Sequence, residues 1–319
     1  MHGRATGWSK IDDHRIARLG ASRRPEPWIC SPSQRADPIG ELLGAAALAP
    51  RLAALPFDAM HKLFSLQGQT ALVTGAGSAS GIGFATARLL AEMGARIAIT
   101  ATRARIHERT DTLRAEGHEA HGFVADLIDR TATRALIART EEALGPITIL
   151  VNNAGMAQTG VADVDSPFHE LEDADWDATL ARNLGTCYNV TRAVLPGMIL
   201  RRYGRIVNVA SVTGPLVSNP GEAAYSAAKA AIVAMSRSIA LEAAPFDVVI
   251  NSVAPGWIAT EGQSDDEARA GLHTPFGRSG TALETAAMIA FLATPGASYI
   301  TGQLMVVDGG NCLQERKGS

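Results

Sequence analysis

From Leu66 onward, short apolar runs alternate with longer segments whose apolar residues recur at helical spacing. Ala71-Leu72-Val73 precedes an amphipathic stretch from Ile82 to Met93. Ile97-Ala98-Ile99 precedes 104–116, and Gly122-Phe123-Val124 precedes 129–143. Ile147 to Val151 leads into a long, interrupted helical pattern from about 174 to 201. Arg205 to Val209, 223–243, Val248 to Val253, 281–293 and Leu304 to Val307 complete the series. A continuous apolar run of strand length implies burial on both faces, which a parallel sheet with helices on either side provides. Right-handed crossovers make this a doubly wound α/β sheet in one domain. Ligands of such folds lie beyond the carboxyl ends of the strands.

Residues 1–65 break the pattern. Segments such as Ser22-Arg23-Arg24-Pro25-Glu26-Pro27 carry no sustained periodicity, and they read as a disordered extension with one short helix near 40–54. A targeting peptide is a second reading, weakened by Asp12, Asp13, Glu26, Asp37 and Glu41, since such peptides avoid acids. A start at Met60 is a third. The domain is expected over 66–312, with 313–319 as a tail.

Hydrophobic residues make up 46% of the 319 residues and charged residues 19%, enough for a sizeable core. The net charge of -3 argues against nucleic acid as a partner. No apolar run approaches the length of about 18 residues that a bilayer span needs, so no membrane partner is expected. Cys30, Cys187 and Cys312 are scattered and odd in number, which suits a reducing compartment such as the cytoplasm. His118 and His121 lack further ligands nearby and read as a solvated pair, so no metal is expected.

Chemistry enters at Thr74 to Gly83, a glycine-rich turn between the first strand and the first helix. Glycines there let the backbone approach a pyrophosphate whose charge the helix N-terminus stabilises, as in a Rossmann fold. Gly75, Ser80, Gly81, Ile82 and Gly83 are the candidate contacts. The second strand runs into Thr100-Ala101-Thr102-Arg103-Ala104-Arg105, without the acid that would bind a ribose 2′-hydroxyl. An arginine can hold a 2′-phosphate instead, so Thr102 and Arg103 point to NADP(H) over NAD(H). A solvated helix start is the other reading of these arginines. Asp126, beside Leu127, is either an adenine neighbour or the cap of the next helix.

Tyr225 and Lys229 fall at the start of a helical segment, one turn apart on one face. An ammonium beside a phenol favours the phenolate and brings tyrosine toward the range of general acid–base catalysis. Ser211, just past the strand Arg205 to Val209, can donate to a carbonyl oxygen.

These pieces resemble the short-chain dehydrogenase/reductase family over about Leu66 to Asn311. The matching motifs are the Thr74–Gly83 loop, Asn152-Asn153-Ala154-Gly155, Asn183, Ser211, Tyr225 with Lys229, Pro255-Gly256 with Thr260, and Tyr299 to Gly310. The resemblance implies that Tyr225 is the acid in reduction and the base in oxidation. Lys229 lowers its pKa and holds the nicotinamide ribose, Ser211 orients the substrate oxygen, and Asn183 supports a proton relay. Asn153, Ala154 and Gly155 shape the cofactor cleft, and Pro255, Gly256, Ile258 and Thr260 lie against the nicotinamide. It also implies a dimer or tetramer, paired through the helices near 174–201 and 223–243. Likeness in Thr274 to Gly280 and Tyr299 to Gly310 points to the beta-ketoacyl-acyl-carrier-protein reductase branch, hence a ketone or 3-oxoacyl thioester as substrate.

Two departures stand out. The glycine loop carries five residues, Ala76 to Ser80, where the family usually has three, and the serine-to-tyrosine interval is one residue longer than common. Residues 257–277 read as a substrate lid, with Glu261 and Asp265-Asp266-Glu267 as a solvated face. The rival readings are an NAD-dependent secondary-alcohol dehydrogenase and a non-catalytic nucleotide sensor or scaffold. An enoyl reductase fits less well, because that branch spaces tyrosine and lysine further apart.

Overall fold

The computed structural model describes residues 62–155 and 166–315. The expected helix near 40–54, the rest of the extension, Cys30 and the end of the tail lie outside the described residues. Lys62 to Phe64 form a helical turn, and the Phe64 ring packs 6.5 Å from that of Phe291. The described domain therefore includes the last residues of the segment expected to be an extension.

Seven parallel strands form one sheet: β1 (Thr70–Thr74), β2 (Arg96–Ala101), β3 (Ala120–Val124), β4 (Ile149–Asn152), β5 (Gly204–Val209), β6 (Val248–Pro255) and β9 (Leu304–Val307), in the order β3-β2-β1-β4-β5-β6-β9. Between β6 and β9, a small parallel pair, β7 (Ile258–Ala259) and β8 (Gly280–Thr281), brackets a short helix. The helices between strands are α1 (Ile82–Glu92), α2 (Ile106–Ala115), α3 (Arg130–Leu144), α4 (Asp173–Leu180), α5 (Thr186–Arg201), α6 (Ala223–Ala243), α7 (Asp265–Leu272) and α8 (Ala282–Ala293). A π-helical turn, Ala181–Gly185, joins α4 to α5.

Side chains alternate across a strand, so each apolar run feeds two cores. Ala71, Val73, Ile97, Ile99, Ile149 and Val151 face one core, which α1 and α8 cover with Leu90 and Ile289. Leu72, Ala98, Leu150, Ile206 and Ile250 face the other, covered by α3 and α5 through Leu136, Val190 and Val194. Every residue of β1, β4, β5 and β6 is buried, which is why these runs show no polar alternation.

Toward the carboxyl ends polar residues interrupt the apolar runs. Asn152 of β4, Asn208 of β5 and Ser252 of β6 are register partners in one row across the sheet. Asn152 Nδ2 donates to Asn208 Oδ1 and to Thr191 Oγ1, each at 2.8 Å. Asn208 Nδ2 donates to Ser236 Oγ at 2.8 Å, and Ser252 Oγ donates to the same oxygen at 3.1 Å. Buried polar groups left unpaired would each cost about 1–3 kcal/mol; these hydrogen bonds tie three strands to α5 and α6 and leave Asn152 Oδ1 without a partner. Among the described residues no helix is long and apolar enough to cross a membrane, and no group of three or more His, Cys, Asp or Glu could hold a metal.

Candidate active site

The glycine loop is shaped by close backbone approach. Gly75 has φ +69°, and a Cβ there would stand 2.8 Å from Ala154 Cα. A Cβ on Gly83 would stand 2.5 Å from Asn153 Nδ2 and 2.6 Å from the Gly75 carbonyl oxygen. Thr74 and Asn153 hold this contact. Thr74 Oγ1 accepts from the backbone N–H groups of Asn153 and Ala154, both at 3.0 Å. Asn153 Nδ2 donates back to the carbonyls of Thr74 and Gly75, at 3.1 and 3.0 Å. Gly81 is the N-cap of α1; no side chain caps this helix, and its first turn has no acid. The first-turn N–H groups at Ile82 and Gly83 and the positive end of the dipole thus present a donor set that suits an anion.

The basic group against this loop is Arg105. A Cβ on Gly77 would stand 2.9 Å from Arg105 Nε and 3.0 Å from Ala101 Cβ, whereas Thr102 and Arg103 lie exposed in the bend after β2. Asp126 is not the cap of α3. That role belongs to Asp129, which accepts from the N–H groups of Thr131 and Ala132, while Asp126 accepts from Ile128 N at 3.0 Å in a local turn. Leu127 is buried, and its carbonyl accepts from Asn189 Nδ2 at 2.9 Å.

On the other side of the cleft, Tyr225 and Lys229 lie one turn apart on α6, with Lys229 Nζ 5.5 Å from the Tyr225 ring centroid. Lys229 is 3% exposed and donates to the Val209 carbonyl, at the end of β5, at 3.2 Å. The position of a Cβ on Gly155 is 2.8 Å from Asn183 Oδ1 and 3.4 Å from Lys229 Nζ, so Gly155, Asn183 and Lys229 converge. The π-helical turn carries Asn183, whose Nδ2 donates to the Thr179 carbonyl at 3.1 Å. Single π turns of this kind often mark functional positions. Ser211 Oγ accepts from Thr213 N at 3.1 Å, a bond that uses a lone pair and not the hydroxyl proton.

Burial sets the electrostatics. It lowers the Lys229 ammonium from 10.5 to about 8, because a charge is disfavoured away from water. The neighbouring Cys187 thiol is pushed up to about 12 by its own burial, so it stays a neutral thiol.

Pro255 ends β6, and its carbonyl accepts from Val212 N at 3.0 Å, tying β6 to the Ser211 segment. Gly256 is required by contact: a Cβ there would stand 2.7 Å from Asp308 Cβ. Ile258 is half-buried in β7, and the Thr260 carbonyl accepts from Gln263 N at 3.1 Å. Glu267 completes a capping box with Ser264 at the start of α7. Glu261 is exposed, as the solvated-face reading expects, and it also bonds to the glycine loop. Its backbone N–H donates to Ser80 Oγ at 2.8 Å, and its carboxylate accepts from Ser78 Oγ at 3.0 Å.

A family model described as enoyl-(acyl carrier protein) reductase matches residues 75–311. The chain belongs to the short-chain dehydrogenase/reductase family. It is 39% identical to the oxidoreductase UcpA of Escherichia coli K12, across 78% of this chain and 97% of the relative. It is 38% identical to the 3-oxoacyl-[acyl-carrier-protein] reductase FabG of Haemophilus influenzae, across 77% and 98%. The crystal structure of a dehydrogenase/reductase from Sinorhizobium meliloti superposes with a TM-score of 0.72 at 32% identity, covering 80% of this chain and 99% of that one.

As a short-chain dehydrogenase/reductase, the protein is an NAD(P)(H)-dependent oxidoreductase acting on small molecules. The uncapped start of α1 and the Gly75–Gly83 cradle fit the pyrophosphate of such a dinucleotide. The residues to which the sequence reading gives no role of their own are the supports: Thr74, Asn189 and Asn208. Each is a polar residue inside or beside an apolar run, and that interruption is the signal that marks them.

Proposed function

We propose that this short-chain dehydrogenase/reductase reduces a ketone with NADPH, with 3-oxoacyl thioesters as the favoured class, through Tyr225, Lys229, Ser211 and Asn183. The observation that carries the reading is the convergence of Gly155, Asn183 and the buried Lys229 beside the Tyr225 ring. When bound, the dinucleotide supplies the hydride that reaches the carbonyl carbon. The Ser211 hydroxyl donates to the carbonyl oxygen and orients it. As charge develops on that oxygen, the Tyr225 hydroxyl transfers its proton there. Lys229, in its ammonium form, stabilises the tyrosinate left behind until a proton returns from solvent by way of Asn183.

The absence of an acid after β2 and the closeness of Arg105 to Gly77 support NADP(H) over NAD(H). The 38% identity to a 3-oxoacyl-[acyl-carrier-protein] reductase supports the substrate class. Reduction of a carbon–carbon double bond, which the description of the family model would suggest, is not favoured, because Tyr225 and Lys229 sit a single turn apart. Nucleotide oxidation is to be followed with NADPH and NADH against short 3-oxoacyl thioesters, simple ketones and 2-enoyl thioesters. Turnover of the 3-oxoacyl thioesters with NADPH is expected. Turnover confined to enoyl thioesters, or NADH favoured over NADPH, would contradict the proposal.

A further inference from the structure

The two residues by which the glycine loop exceeds the usual family length fall in Ala76 to Ser80. Both serines of this stretch, Ser78 and Ser80, reach across the sequence to a single residue of the segment after β7. Ser78 Oγ donates to the Glu261 carboxylate at 3.0 Å, and Ser80 Oγ accepts from the Glu261 backbone N–H at 2.8 Å. We infer that Ser78, Ser80 and Glu261 form a clasp that competes with the dinucleotide's phosphates and thereby sets the cofactor's affinity and exchange rate.

Three physical points support this. A hydroxyl has one proton, so Ser78 cannot donate to Glu261 and to a phosphate oxygen together. The Glu261 N–H is likewise committed to Ser80 while the clasp is closed. The carboxylate brings negative charge to the loop that leads into the uncapped, acid-free start of α1, where a pyrophosphate would otherwise meet only favourable partial charges. The contact is exposed, so it is weak enough to open. Removing it costs the fold little and removes repulsion from the bound state. Glu261 is then an affinity-determining residue, and the enlarged loop is the device that engages it.

This rests on the proposal that the loop binds NADPH. The test is titration of the full chain with NADPH, read by nucleotide fluorescence, with stopped-flow displacement giving the release rate. Wild type, Glu261→Gln, Ser78→Ala and the double variant are compared at low and high salt. Glu261→Gln is expected to bind NADPH three- to tenfold more tightly and to release it more slowly, with the gain shrinking at high salt as charges are screened. Ser78→Ala also frees the carboxylate, so Glu261→Gln is expected to act less than additively with it. Unchanged or weakened binding by Glu261→Gln would overturn the clasp, since Glu261 would then be idle or would hold the cofactor. Failure of wild type and all variants to bind NADPH would instead overturn the cofactor reading beneath it. Circular dichroism of each variant separates misfolding from either result.

Discussion

At the scale of single residues, the site depends on a charge kept in an unfavourable place. Lys229 is buried, and its folded pKa is lowered from 10.5 to about 8. Between these values the unfolded chain holds a proton that the folded chain has released, so this group makes stability rise with pH across that window. Below about 8 both states carry the proton, and the folded state bears the full cost of the buried ammonium. Denaturant melts of wild type and Lys229→Met should therefore differ increasingly in favour of wild type from pH 8 to 10.5, by on the order of 3 kcal/mol in all. A pH-independent difference would show that the ammonium is not destabilised by burial. The same discharge predicts that kcat/KM for reduction falls as pH passes about 8, because neutral Lys229 no longer stabilises the tyrosinate. The placement of Tyr225 and Lys229 one turn apart on one helix face is legible in the sequence from spacing, whereas the roles proposed for them come from the family resemblance. The partner of Lys229 is not legible there: the Val209 carbonyl and Gly155 reach it only through the fold.

At the scale of elements, the strands and the position of the glycine-rich turn are legible because period and composition carry them. A fully buried parallel strand has to be apolar throughout, and β1, β4, β5 and β6 are. The helix ends fell within a residue or two of expectation, as terminal turns usually allow. What stayed hidden was the wiring between elements, such as Asn208 to Ser236 or Thr74 to Asn153. A polar residue in a strand shows that some partner exists without showing which. Asp126 and Asp129 make the same point, since both suit a cap and only the backbone decides. For the loop, contact distances give a definite expectation. Gly83→Ala places a methyl group 2.6 Å from the Gly75 carbonyl oxygen, a clash that backbone movement has to relieve. It should cost about 1–3 kcal/mol of stability and weaken nucleotide binding at least tenfold, measured by melting and by NADPH titration. Unaltered binding would show that the approach of α1 to the loop is not what positions the phosphates.

At the scale of the whole molecule, α5 and α6 expose apolar surface away from the cleft. Leu200 is 85% exposed and Leu241 79%. A shallow apolar groove at Leu200 is lined by Leu195, Pro196 and Ile199, and a second groove on the same two helices is lined by Tyr188 and Met235. Such a face suits a second copy of the chain, in line with the pairing that the family resemblance implies. Leu241→Glu is expected to shift sedimentation toward monomer at micromolar concentration; an unchanged assembly would place the interface elsewhere. Since α6 also carries Tyr225 and Lys229, pairing through it would brace the site. In the proposed mechanism Tyr225 supplies the proton while the rest of the cleft binds the nucleotide. Its most direct test is Tyr225→Phe, with NADPH binding and ketone reduction measured on the same preparation. Binding within about twofold of wild type is expected, with turnover lower by about a thousandfold, the scale of a lost general acid. Retained turnover would take the chemistry away from Tyr225.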